Sequence, residues 1–260
     1  MKRIAIIVAF SVLAQAAAAQ PAPDIAGAVF EQRPGSRLPR PREFRDEAGR
    51  LLRLSDLLNG APLALVLGYY QCPKLCDVLR AGLIQALAKS GMAPGRDYVF
   101  VAISVDPADT SATASQAKAH DLENAAAPQL AAHAHYLTGE RDAIQSVADA
   151  VGFASRPAGE RRTIAHPVGA VFVSPSGVVS NYLLGVGFSP ADTRLAVSRA
   201  ASGEISPPAS PILLLCFDFD ASTGRYSVAI VKVLRLLSIA MSVIIGLTLL
   251  YTFRREGSGA

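Results

Sequence analysis

Two continuous apolar runs, APLALVLGYY at residues 61–70 and DYVFVAISVD at 97–106, constrain the fold of this chain more than any other feature. Neither alternates apolar with polar residues, so each reads as a strand covered on both faces, which places both in the middle of a sheet. After the first run, Leu75, Val78, Leu79, Leu83, Ile84 and Leu87 recur with helical spacing, and Pro73 stands at a first-turn position that tolerates a missing N–H. Pro107 ends the second run, and the alanine-rich stretch from Ala112 to about Ala126 reads as another helix. Strand, helix, strand, helix implies parallel pairing.

The flanking segments complete the pattern. Residues 43–60 read as a short hairpin around Glu47-Ala48-Gly49 and a turn leading to Gly60. AHYLTG is a third short strand, residues 140–151 a helix, and GAVFVSPSGVVSNYLLG a hairpin turning at Ser174-Pro175-Ser176-Gly177. A last helix is expected from about Pro190 to Ser202. This order, with a late hairpin between helices, predicts a thioredoxin-like α/β domain, a central sheet flanked by helices, over residues 43–201.

Both ends carry membrane signals. Lys2 and Arg3 precede an apolar run from Ile4 that ends in Ala17-Ala18-Ala19, the pattern of a signal peptide over residues 1–19, cut near Gln20. No cysteine stands at that boundary, so a lipidated N-terminus is not expected. Residues 236–253 are eighteen uncharged positions, about 27 Å as a helix at roughly 1.5 Å per residue. That length predicts a transmembrane helix, followed by Arg254 and Arg255 in a cytoplasmic tail, residues 254–260. Lys232 and Arg235 on the near side weaken the charge asymmetry, and the signal peptide sets the orientation. The expected location is the cytoplasmic membrane, single-pass, with the domain on the periplasmic or extracytoplasmic side. Residues 20–42, rich in Pro and Arg, form an extended lead-in, and residues 202–235 a linker and juxtamembrane segment that opens with SGEISPPASP.

The net charge of +4 belongs to those ends, because residues 20–231 hold 19 Lys and Arg against 20 Asp and Glu. No basic patch argues for nucleic acid.

Cys72 and Cys76, in LGYYQCPKLCDVLRAGL, stand where the first strand gives way to the first helix. Four residues is close to one helical turn, so the α-carbons lie about 6 Å apart, within reach of a disulfide or a shared metal. A helix N-terminus stabilises thiolates, which serves exchange chemistry and metal binding alike. A purely structural disulfide gains little from closing so short a loop. The strand-to-helix junction of an open α/β sheet is also where chemistry usually sits.

Three blocks, YYQCPKLCDVL, VAISVDPADT and TIAHPVGAVFVSPSGVVSNYL, resemble the signature blocks of the Sco/SenC family, thioredoxin-fold proteins tethered beside respiratory oxidases. The likeness spans roughly residues 40–200. It implies a copper ion held by Cys72, Cys76 and His166, and a role as a copper chaperone in building the copper centre of cytochrome c oxidase. The implied partner is the copper-bearing oxidase subunit or another copper or thiol protein. Thiolates are soft ligands suited to Cu(I), and imidazole suits copper in either state. The family commonly has an acidic residue before the histidine and a proline after the second cysteine, where this chain has Ala165 and Asp77. Pro167 directly follows His166, close to where thioredoxins place a cis-proline.

The alternative is an enzyme, a thiol-disulfide oxidoreductase in which Cys72 attacks as thiolate and Cys76 resolves the mixed disulfide, with no required part for His166. A peroxidase would need an arginine beside the cysteine, and none is evident in sequence. Asp106 and Pro107 end the second strand on the cysteine side of the sheet, as site support or as a turn. Tyr69 and Tyr70 read as strand packing that could also wall the site. Cys216 reads as a buried apolar thiol with an intermolecular bridge as alternative, and His120, His133 and His135 as solvated residues.

Overall fold

The computed structural model describes residues 30–39, 42–71, 76–158 and 163–208, two short strands at Asp218–Asp220 and Arg225–Ser227, and six helical positions between 238 and 248. These residues fall into two units, 30–208 and the pieces beyond residue 217. In the smaller unit the two short strands pair antiparallel, Phe219 opposite Tyr226. No helix among the described residues is long and apolar enough to cross a membrane. The expected signal peptide, Cys216 and most of the expected span at 236–253 lie outside the described residues.

The larger unit is built on the two apolar runs. β1 (Glu43–Arg45) and β2 (Leu51–Arg53) form the expected hairpin. β3 (Leu63–Gly68) and β4 (Val99–Ser104) are buried at every residue and run parallel, Leu63 opposite Val99 and Gly68 opposite Ser104. β5 (Ala134–Leu137) extends the parallel set, while β8 (Gly169–Val173) lies antiparallel to β3 and pairs with β9 (Val179–Leu184). The sheet order is β5-β4-β3-β8-β9. Gly177, at φ +81°, takes the left-handed position of the β8–β9 turn.

Alternation along β3 divides the core. Leu63, Leu65 and Leu67 face one side with Ile144, Val147 and Val151 of the helix α3 (Arg141–Val151). Ala64 and Val66 face the other side with Leu79, Leu83 and Leu87 of α1 (Cys76–Lys89), Ala114 and Ala117 of α2 (Ser111–Asn124) and Val197 of α4 (Pro190–Ala201). Both faces are therefore covered by helix, which is why these strands carry no polar alternation. Thr110 caps α2 and Ser189 caps α4, each side chain accepting a backbone N–H from the third residue onward.

Two local features were not legible beforehand. β6 (Arg156–Ala158) and β7 (Thr163–Ala165) form an extra antiparallel hairpin, too short to show periodicity. Residues 30–38, expected as an extended lead-in, turn at 34–35 and are bonded to the domain: Gly35 N–H donates to Val179 O and Leu38 N–H to Gly177 O.

The β1–β2 turn makes the fold sensitive to acid. The Asp46 carboxylate accepts from Ala48 N, Arg50 N and Arg50 Nε, and Glu47 bonds Lys118 Nζ at 2.5 Å and Tyr136 N at 3.0 Å. Burial pushes both carboxyls up; for Asp46 the bonds from Arg50 and Ala48 outweigh it, and for Glu47 those from Lys118 and Tyr136, so both titrate below their ordinary range. Asp97, bonded to Arg96 and to Ala93 N, is lowered to about 2. A carboxylate with a depressed folded pKa stabilises above its unfolded value and loses that contribution as pH falls. Burial likewise lowers the His135 imidazole, which favours its neutral form and works in the same direction. The thermal unfolding midpoint is thus expected to begin to fall as pH drops below the ordinary His value of 6.5, through His135, and to fall further from the ordinary Glu value of 4.5 towards 2. An Asp46→Asn, Glu47→Gln double variant should show a flatter profile in the same scan. An equal slope in the two proteins would remove this turn as the cause.

Candidate metal centre

β3 has a parallel neighbour on one side and an antiparallel one on the other. At its C-terminal end the chain passes through Tyr69, Tyr70 and Gln71 towards Cys72, which with residues 73–75 lies outside the described residues. Helix α1 opens at Cys76, whose backbone stands at its first residue; its side chain also lies outside the description. Because β8 runs antiparallel to β3, with Leu65 opposite Val171, the residues leading into β8 arrive at the end where β3 departs. His166 lies in that incoming loop, between β7 and β8.

The histidine meets Tyr69, in the segment that leads towards Cys72. Its ring meets the buried Tyr69 ring edge to face, centroids 5.8 Å apart, and stacks on Phe153 at 5.6 Å with the planes 26° apart. Nδ1 lies 2.9 Å from Pro167 O. A carbonyl can only accept, so Nδ1 carries the proton and the lone pair of the neutral ring falls on Nε2. This bond fixes the tautomer and helps to orient the ring. No peptide bond among the described residues is cis, that between His166 and Pro167 included.

Three residues that sequence reasoning missed hold this region. Asp109, 9% exposed, accepts Tyr70 N at 2.8 Å, Ser104 Oγ at 2.5 Å and Thr113 Oγ1 at 3.1 Å. It ties the segment two residues before Cys72 to the turn after β4. Asp106, singled out from the sequence, shapes that turn instead, accepting Ala108 N at 2.9 Å. The only sequence signal for Asp109 was its place beside the α2 cap in the same block.

Arg80 is the second of these residues. It lies one turn along α1 from Cys76 and is 3% exposed, with Nε 2.5 Å from Asp121 Oδ2 and Nη1 3.4 Å from Tyr69 O. Asp121 also accepts Tyr136 OH at 2.7 Å, and the guanidinium lies 5.6 Å from the Tyr70 ring centre. Burial pushes the Asp121 carboxyl up against the opposing pull of Arg80. Tyr70 OH donates to Leu137 O at 2.8 Å, so both tyrosines before the cysteines are packed in place. The third missed residue, Phe153, follows the end of α3 and had no signature.

Among the described residues no three His, Cys, Asp or Glu side chains gather as a metal site. His120 lies 3.8 Å from Asp77 and bonds Asn124 at 2.9 Å, both at the surface. His135 is not solvated as expected: its Nδ1 is buried with no hydrogen-bond partner among the described residues.

A mixed five-stranded sheet with this crossover order, helices on both faces and a cysteine opening the helix after the central strand defines a thioredoxin-like domain. The chain belongs to the SCO1/SenC family, whose model matches residues 31–197. Among solved structures it is similar to a protein of Aquifex aeolicus VF5 at 23% identity, covering 66% of this chain and 96% of that one, TM-score 0.57. It is also similar to ScoI of Arabidopsis thaliana, solved with copper bound, at 20% identity, 66% and 99% coverage and TM-score 0.52. A third is BsSco, a Sco-family cytochrome c oxidase assembly protein with a disulfide switch, at 22% identity, 66% and 97% coverage and TM-score 0.51. At these identities the likeness is one of fold. No curated protein matches the chain.

Proposed function

We propose that this protein is a copper chaperone of the Sco type, taking copper on Cys72, Cys76 and His166 and assisting assembly of the copper centre of cytochrome c oxidase. The observation that carries the reading is the contact between the His166 and Tyr69 rings, with Nδ1 turned to the Pro167 carbonyl. Tyr69 stands three residues before Cys72, which supports a site shared by the imidazole and the thiols. Family membership and the copper-bound ScoI relative support the same cargo. Two thiolates and one imidazole form a site that can release its ion by ligand exchange, which delivery requires and a closed four-thiolate site resists. The signal peptide at 1–19 and the span at 236–253 would tether the domain outside the cytoplasmic membrane, raising its effective concentration near a membrane-bound recipient.

The test is copper binding by the reduced full-length protein in detergent, read by competition with a chromogenic Cu(I) chelator. His166→Ala is expected to weaken Cu(I) binding by at least tenfold, about 1.4 kcal/mol, while reduction of a model disulfide continues at the wild-type rate. An unchanged affinity would remove the histidine from the site. A wild-type protein that takes up no Cu(I) but reduces the disulfide rapidly would make the thiol-disulfide oxidoreductase the function.

A further inference from the structure

We infer that residues 30–38 form a strap that keeps the His166 ring in place, with Phe30 and Phe153 as positioning residues; this rests on the copper reading above. The strap crosses the C-terminal end of α3, where helix carbonyls lack partners of their own. It supplies them: Arg33 Nη1 donates to Asp149 O at 2.8 Å, Ser36 Oγ to Ala150 O at 2.5 Å and Glu31 N to Gly152 O at 2.8 Å. Tyr182 OH donates to Val151 O at 2.9 Å and itself accepts Arg33 N at 3.0 Å. Gly152, at φ +65°, permits this closeness, since a Cβ there would lie 1.8 Å from Glu31 O.

Phe153 leaves that capped end buried between two rings. Its face stacks on His166, and Phe30 meets it edge-on at 5.4 Å with planes at 73°. Phe30 is held in turn by Tyr182 at 5.7 Å and by a backbone bridge to Phe153. The imidazole therefore lies between Tyr69, which comes from the cysteine side, and Phe153, which the strap braces. Offset and edge-to-face ring packing restricts rotation of the central ring. A ligand already ordered loses less freedom when the metal arrives, so the strap strengthens the site without touching copper.

The experiment uses the reduced full-length protein in detergent and two readouts at one fixed pH: Cu(I) affinity by chelator competition, and the metal-free His166 ring signals in 15N and 13C NMR. Phe30→Ala is expected to weaken Cu(I) binding about three- to tenfold and to replace the single Nδ1–H tautomer signature by an exchange-averaged one. Gly152→Ala, which displaces the strap and leaves every aromatic ring intact, should do the same, and Phe30→Tyr should retain wild-type values in both. Wild-type affinity and ring signals in Phe30→Ala and Gly152→Ala, with affinity lost in His166→Ala, would overturn the strap and leave the copper site standing. If His166→Ala kept wild-type affinity the copper reading would fall, and the ring signals alone would decide whether the strap orders the imidazole. Should Phe30→Ala fail to fold, Phe30→Leu is judged by the same two readouts.

Discussion

Asp121→Ala is expected to lower folding stability by about 3–5 kcal/mol, the largest single-site effect in the domain. Asp121 is fully buried on α2 and Arg80 is 3% exposed on α1, so the carboxylate neutralises a cation that water does not reach. Removing it takes the buried counter-charge from the guanidinium and orphans Tyr136 OH, which donates to the same oxygen. The attraction of the intact pair is a different quantity, because burying two charges carries its own desolvation penalty. An Arg80→Met, Asp121→Leu, Tyr136→Phe triple variant should therefore recover most of the loss, since it removes both buried charges together with the hydroxyl that bonds Asp121. Urea denaturation of the three proteins measures both effects. A single variant within 1 kcal/mol of wild type, on the order of a surface substitution, would mean that water reaches Arg80. The pair also bears on the site, because Arg80 Nη1 approaches the Tyr69 carbonyl.

Asp109→Ala is expected to cost about 2–4 kcal/mol, because the Tyr70 N–H and the buried Ser104 hydroxyl lose this acceptor, each worth about 1–3 kcal/mol where water cannot replace it, while the Thr113 hydroxyl keeps Thr110 O. The bonds lost are those from Tyr70 N, Ser104 Oγ and Thr113 Oγ1. Asp109→Asn should cost less than half as much. Its carbonyl can still accept from Tyr70 and Ser104, and its amide can donate to the Thr113 hydroxyl. Beyond stability, the alanine variant unfastens the segment two residues before Cys72. The reduction potential of the thiol pair, measured by equilibration with a glutathione buffer, is expected to shift in Asp109→Ala and to stay near wild type in Asp109→Asn. Equal potentials in all three proteins would confine Asp109 to the fold.

Local pattern carried a good deal of this protein. The buried strands β3 and β4 announce themselves through unbroken apolar runs, α3 through its amphipathic spacing, and the β8–β9 hairpin through its Ser-Pro-Ser-Gly turn. Family membership was legible for the same reason: its motifs are short and contiguous, and they survive translation into a line of letters. His166 could be singled out in this way, but its ring neighbours could not.

Tertiary structure decided what surrounds the candidate ligands. Phe30, Phe153, Tyr69 and His166 are scattered over more than a hundred residues of chain and form one ring cluster because β8 returns antiparallel beside β3 and the strap crosses the end of α3. Arg80 and Asp121 look like surface charges of two ordinary helices until those helices pack on one face of the sheet. Periodicity registers which face of an element is apolar, a property of neighbours along the chain. Which polar groups meet in the interior depends on long-range register, and no local pattern encodes that.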